Sequence, residues 1–224
     1  VAIIAMANAR CVENTSPIRT LLGFDTPILA VGAISSSRLD NERRRKIKSN
    51  EGGLKTVAKY EVLIGDAIDQ LKTLDSKSIH CCVTSPPYYS LRDYGNDGQI
   101  GLEPTLAEYI DKLVEVFREV KRVLRDDGTL WLNIGDSYNG TGGAGGDYNK
   151  GGLREGQPKY KGKNDMAFKR KDLMLVPHRL AIALQEDGWF VRQDIVWSKP
   201  NPMPEPAKDR CVKAHEYIFL LSKS

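Results

Sequence analysis

The stretch 108–124 constrains the fold of this chain more than any other. Tyr109, Ile110, Leu113, Val114, Phe117, Val120, Val123 and Leu124 recur there at intervals of three and four. That spacing predicts a helix with one apolar stripe, which must lie against a partner surface to leave water. Thr105 stands before it with Glu108 three residues on, a capping-box pattern, and Asp127-Gly128 is expected to stop it. Apolar runs with strand character flank the helix at 78–84 and 129–134.

The rest of the chain repeats the theme. Tyr60-Glu61-Val62-Leu63-Ile64 reads as a strand closed by Gly65-Asp66, and 67–74 has helical spacing. A second helix is expected over 177–186, with Pro177 tolerated in its first turn and Gly188 at its end. Runs 189–197 and 216–221 read as two further strands. Strands alternating with helices imply an α/β sheet with parallel members. The last two strands have no helix between them, which implies an antiparallel pair at one edge.

Composition narrows the class. Hydrophobic residues make up 41% and charged residues 28% of 224, enough for a globular core. The net charge of +4 permits contact with nucleic acid without arguing for it. Cys11, Cys81, Cys82 and Cys211 form no Cys-x-x-Cys pair and the three histidines lie far apart, so no metal site is expected and the thiols read as free and buried. The apolar start at 1–6 is too short to span a bilayer, and no membrane association is expected. The first residue is Val, which points to a fragment or to first residues that are not native. Residues 1–56, with the basic run Arg43-Arg44-Arg45-Lys46-Ile47-Lys48, read as a solvated or disordered extension in preference to a phosphate-gripping arm.

The chemistry centres on the end of the run 78–84, where Ser85-Pro86-Pro87-Tyr88 follows. Each proline fixes its φ and removes a donor, and Pro87 biases Pro86 towards extended backbone. Carbonyls near the strand end are therefore held rigid with few local donors to satisfy them. Ser85 adds a hydroxyl acceptor and Tyr88 a flat ring. That set suits an exocyclic amino group on a base. Its two hydrogens would go to Ser85 and to a backbone carbonyl, that of Pro86, while the ring stacks on Tyr88 at about 1–3 kcal/mol. Such a site works by positioning and needs no strong base.

Several motifs in order carry a resemblance. Thr84-Ser85-Pro86-Pro87-Tyr88-Tyr89-Ser90-Leu91-Arg92-Asp93-Tyr94, Gly98-Gln99-Ile100-Gly101-Leu102-Glu103, Gly128-Thr129-Leu130-Trp131-Leu132-Asn133-Ile134-Gly135-Asp136 and Gln193-Asp194-Ile195-Val196-Trp197-Ser198-Lys199-Pro200-Asn201-Pro202 resemble site-specific DNA amino-methyltransferases. These modify cytosine N4 or adenine N6. The resemblance spans about 60–224. It implies a Rossmann-like α/β fold with a mostly parallel sheet, S-adenosylmethionine as cofactor without a metal, and double-stranded DNA as partner, with the base flipped from the duplex. It implies catalytic roles for Ser85, Pro86, Pro87 and Tyr88, and cofactor contacts at Gly65, Asp66 and Ser85. Tyr88, Trp197, Lys199 and Asn201 are the expected DNA contacts. Ser at the head of the loop favours cytosine N4 over adenine N6. A bacterial or phage cytoplasm and a restriction-modification setting are the natural context.

Three further expectations follow. Gly140-Thr141-Gly142-Gly143-Ala144-Gly145 matches a dinucleotide pattern but opens no apolar helix, so it reads as a loop. Residues 136–171 read as a flexible basic loop within a partial catalytic domain over 57–224. The family's glycine-rich cofactor turn, expected after the catalytic loop, does not occur in this sequence. The fold is therefore expected to be incomplete, with an apolar strand edge beside Cys81–Thr84 exposed, and the chain to be truncated or to need a complementary chain. Two rival readings remain open: a DNA-binding remnant without activity, and an RNA or protein amine methyltransferase, whose relatives usually carry Asn at the position of Ser85.

Overall fold

The computed structural model describes residues 3–7, 28–32, 60–91, 98–140, 165–202 and 208–224. The basic run 43–48, Cys11, residues 92–97 and most of the glycine-rich and basic loop lie outside them.

Seven strands form one sheet in the order β3-β2-β1-β4-β5-β7-β6. They are β1 (Ile3–Ala7), β2 (Ile28–Gly32), β3 (Tyr60–Ile64), β4 (Ile79–Ser85), β5 (Leu124–Ile134), β6 (Phe190–Ser198) and β7 (His215–Ser222). Among the described residues the helices are α1 (Ala67–Lys72), α2 (Leu106–Val123) and α3 (Val176–Glu186). Parallel pairing joins β2 to β3 and β4 to β5. β6 and β7 form the expected antiparallel pair at one edge. Antiparallel pairing is not confined to that edge: β1 runs against both β2 and β4, and β7 against β5, so four of the six pairings are antiparallel and the sheet is not mostly parallel.

β1 answers the question of the bare edge. Ile3 pairs with Ser85 and Ala7 with Cys81, so the side of β4 expected to face water is occupied by the start of the chain. Two short pieces of the stretch 1–56 are thus strands of the sheet.

α2 begins where its caps dictate. The Thr105 hydroxyl accepts from the Glu108 amide at 3.3 Å, and Glu108 accepts from the Thr105 amide at 2.9 Å. Its buried stripe contains the expected residues from Tyr109 to Val123, together with Leu106 and Val116. Its end differs from the reading of Asp127-Gly128 as a stop. Leu124 is already extended, and β5 starts there. Ile79 pairs with Leu124 but Cys81 with Thr129, so residues 125–128 form a bulge. A side chain at Gly128 would stand 2.9 Å from the Arg125 carbonyl, so this glycine serves the bulge rather than the helix.

The core lies on one face of the sheet. Leu130, Leu132 and Ile134 of β5 are buried together with the stripe of α2, with Leu180 and Leu184 of α3, and with Phe219 and Leu221 of β7. The alternate residues Thr129, Trp131 and Asn133 are only half-buried, as the period-two geometry of a strand requires. α3 starts at a left-handed Leu175 that offers no side-chain cap. Asp136, just after β5, accepts from the Val176 amide at 2.9 Å and closes that helix end from across the fold.

Cys81 and Cys82 are buried free thiols as expected, whereas Cys211 is exposed. His178 is half-buried. Its ring packs edge-on to Tyr217 at 4.7 Å.

Candidate functional site

β4, β5 and β6 all end at one edge of the sheet, and β7 begins there. Open α/β sheets gather ligands at such an edge. Ser85 is the last residue of β4 and is exposed, while Pro86, Pro87 and Tyr89 are buried and Tyr88 is half-buried.

The loop is braced from three sides. The buried Tyr109 hydroxyl of α2 donates to the Pro87 carbonyl at 2.8 Å, which uses one of that carbonyl's two lone pairs. No described group donates to the Pro86 carbonyl. The Ser90 amide donates to the Gly101 carbonyl at 2.8 Å, and Gly101 has φ +103°, where a side chain would lie 3.0 Å from the Tyr88 carbonyl. Gly135 matters more for the ring. A Cβ there would sit 2.5 Å from Tyr88 Cε2, so only glycine leaves the Tyr88 ring where it is.

Tyr88 is held by its hydroxyl as well. The oxygen lies 2.9 Å from Asn133 Oδ1 and 3.3 Å from Glu216 Oε2. Ser85 Oγ approaches the Tyr88 hydroxyl at 3.3 Å and Asn133 Oδ1 at 3.4 Å. The Asn133 amide donates to Glu216 Oε2 at 3.3 Å and to the Tyr217 carbonyl at 3.2 Å. Lys199 forms an ion pair with the other oxygen of Glu216. Its ammonium also stands 5.3 Å from the centre of the Trp197 ring.

Charge follows from these contacts. Burial works against ionisation of Glu216, but hydrogen bonds from Lys199 and Asn133 outweigh it and hold the carboxyl below its ordinary range. Burial pushes the Tyr88 phenol above its ordinary value. The Ser85 hydroxyl opposes that rise and the Glu216 charge adds to it.

The structure thus brings Ser85, Pro86, Pro87, Tyr88 and Lys199 into one cluster. Trp197 lies opposite Glu216 in the β6–β7 register and is 50% exposed, with Asn201 exposed just beyond. Gly65 and Asp66 stand apart, at the end of β3, three strand positions from β4 and so roughly 14 Å away laterally. One Asp66 oxygen caps α1, accepting from the amides of Ile68 at 2.9 Å and Asp69 at 3.3 Å. Asn133 and Glu216 were not among the expected site residues. A signal was available: Asn133 is a polar residue inside an otherwise apolar strand-like run, and Glu216 is the acid at the head of another.

A second polar cluster lies nearby. Asn139 is 1% exposed and Asp165 5%. Asn139 accepts from the Asp165 amide at 2.9 Å and donates to the carbonyls of Asp165 and Phe168 at 2.9 and 2.8 Å. Asp165 accepts from the Leu106 amide at 2.8 Å, at the start of α2. Among the described residues, no group of His, Cys, Asp or Glu could hold a metal ion, and no helix is long and apolar enough to cross a membrane.

The sheet and its helices form part of the Rossmann-like α/β fold of the methyltransferases, as a solved structure shows. PvuII DNA methyltransferase (cytosine-N4-specific) shares it at a TM-score of 0.50 and 20% identity, over 72% of this chain and 48% of that one. The sequence profile of the DNA methylase family matches residues 79–224, and the chain belongs to that family. Type II methyltransferase M.SmaI of Serratia marcescens is 52% identical over 170 residues, 73% of this chain and 56% of that protein. Type II methyltransferase M.XycI of Xanthomonas campestris pv. cyanopsidis is 52% identical over 167 residues, 71% of this chain and 53% of its own length. The chain therefore spans about half the length of these curated relatives.

Proposed function

We propose that this chain carries the target-base site of a DNA methyltransferase that transfers a methyl group from S-adenosylmethionine to an exocyclic amino group, cytosine N4 in preference to adenine N6. The observation that carries the reading is the exposed Ser85 hydroxyl at the end of β4, with the Pro86 carbonyl next to it along the chain. Ser85 is exposed, and the Pro86 carbonyl has no described donor while its neighbour Pro87 is already bonded to Tyr109. Two acceptors of this kind orient an amine so that its lone pair faces the incoming methyl group.

Tyr88 offers its ring to the flipped base, and Trp197 offers a second exposed aromatic surface on the same edge. Asn201 and Lys199, the latter while still paired with Glu216, are the proposed contacts to the DNA. Double-stranded DNA is the proposed substrate, and the match to the DNA methylase family supports DNA.

The cofactor, when bound, supplies the methyl group. Among the described residues, the Ser85 hydroxyl and, at the end of β3, the second oxygen of the exposed Asp66 beside Gly65 are the groups proposed to hold it.

The test uses labelled S-adenosylmethionine, unmethylated duplex DNA and mass spectrometry of the digested nucleosides. N4-methylcytosine is the expected product. N6-methyladenine would keep the reaction and overturn the inference from Ser85. No label from folded protein would leave the chain as a base-binding unit only.

A further inference from the structure

We propose that Glu216 sets the hydrogen-bond polarity of Ser85 through Asn133 and Tyr88, so that the Ser85 hydroxyl meets its target only as an acceptor. The proposal deepens the reading above, since it rests on Ser85 facing an amino group.

The argument is a count of hydrogens. An ionised carboxylate only accepts. Glu216 takes Lys199 on one oxygen and faces the Asn133 amide and the Tyr88 hydroxyl with the other. The Asn133 NH2 group lies between two acceptors, Glu216 Oε2 and the Tyr217 carbonyl. That fixes which way the amide is turned. Its oxygen must then face Tyr88 and Ser85. Tyr88 has one hydrogen and two acceptors before it, Asn133 Oδ1 and Glu216 Oε2. Whichever it chooses, the phenol oxygen turns lone pairs towards Ser85.

Ser85 thus finds acceptors on its inner side, the Tyr88 oxygen at 3.3 Å and Asn133 Oδ1 at 3.4 Å. Its single hydrogen points inward and its lone pairs point to the open side, where Ser85 is exposed. An amino group donates to such an oxygen, whereas a carbonyl is repelled by it. Lys199 contributes by keeping Glu216 charged, and Glu216 acts as a positioning residue.

The experiment reads the direction of the Ser85–Tyr88 bond. Tyrosines are replaced by 3-fluorotyrosine, which lowers phenol ionisation into a range where the fold persists. Tyr88 is assigned by loss of its 19F signal in Tyr88→Phe and then titrated. The charged and titratable groups facing it are Glu216, Lys199 and, from α2, Tyr109. A Ser85 that donates to Tyr88 stabilises the phenolate, so Ser85→Ala is expected to move the Tyr88 titration upward. A downward move would mean that Tyr88 donates to Ser85, and would overturn the proposal.

Glu216→Gln is expected to lower the Tyr88 titration and to shrink the effect of Ser85→Ala. An unchanged Ser85→Ala effect in that background would also overturn it. Where the wild-type chain methylates DNA, Glu216→Gln is expected to lower kcat about tenfold with KM for DNA nearly constant, and Glu216→Asp to restore part of the loss. The 19F readout needs no turnover. An absence of methylation therefore counts against the reaction, and a wrong sign of the Ser85→Ala shift counts against the role of Glu216.

Discussion

Two polar clusters sit at the same end of the sheet, and they are built to opposite plans. Around Asn139 and Asp165 the donors and acceptors answer one another within the protein, and both residues are almost wholly buried. Around Tyr88, Asn133 and Glu216 the groups are half-buried, and the chain of contacts ends at an exposed Ser85. A closed cluster holds structure: it ties residue 139 to residue 165 and to the first turn of α2, across the glycine-rich stretch between them. An open one keeps unused acceptors at its outer end, which is what a site for an incoming donor requires. Burial and closure together separate a staple from a site where residue type alone does not, since each cluster contains one asparagine and one acid.

The contrast makes its largest prediction for the staple. Asn139→Leu would strand buried carbonyls and an amide, at a cost of about 3 kcal/mol. Denaturant unfolding should show it as a lower midpoint, and a loss below about 0.5 kcal/mol would remove the staple from the argument. Gly135→Ala comes next. Its methyl group overlaps the Tyr88 ring, so the expected cost is about 1–3 kcal/mol, together with a displaced Tyr88 signal in the 19F spectrum. An unmoved signal would mean that the backbone yields instead of the ring.

Tyr88→Phe should reverse the balance between stability and function. It keeps the ring and removes the tether, so stability changes by about 1 kcal/mol or less while methylation falls several-fold. Equal losses in both would erase the distinction between the clusters.

The smallest effect is the pH dependence of Glu216. Its carboxyl ionises below its ordinary range in the folded protein. The ion pair therefore contributes in full above the unfolded-state pKa, and the contribution is lost as pH falls through the folded value. The wild-type advantage in Tm over Glu216→Gln should shrink from neutral towards acid pH and with added salt, because Lys199 is partly exposed.

Much of this was legible in the residues. The stripe of α2, its Thr105–Glu108 cap, the two buried strands on either side and the antiparallel β6–β7 pair follow from local spacing and caps. Local spacing is what a period of 3.6 or 2 reports. The Ser85–Tyr88 turn was equally plain, because proline restricts the backbone whatever surrounds it. The bulge at 125–128 was not, since Gly128 after an acidic residue reads as a helix stop until the pairing with β4 is known.

Only tertiary structure could place Glu216 beside Tyr88, 128 residues away in sequence. The same holds for β1 on the edge of β4, for the oxygen of Asp136 at the start of α3, and for the ion pair that occupies Lys199. The physical reason is common to all four. A sequence fixes which backbone shapes are cheap and which faces must leave water, and both are local properties. Whether a polar group is bonded, charged or open depends on what the folded sheet brings within about 3 Å of it, and distant segments supply those partners here.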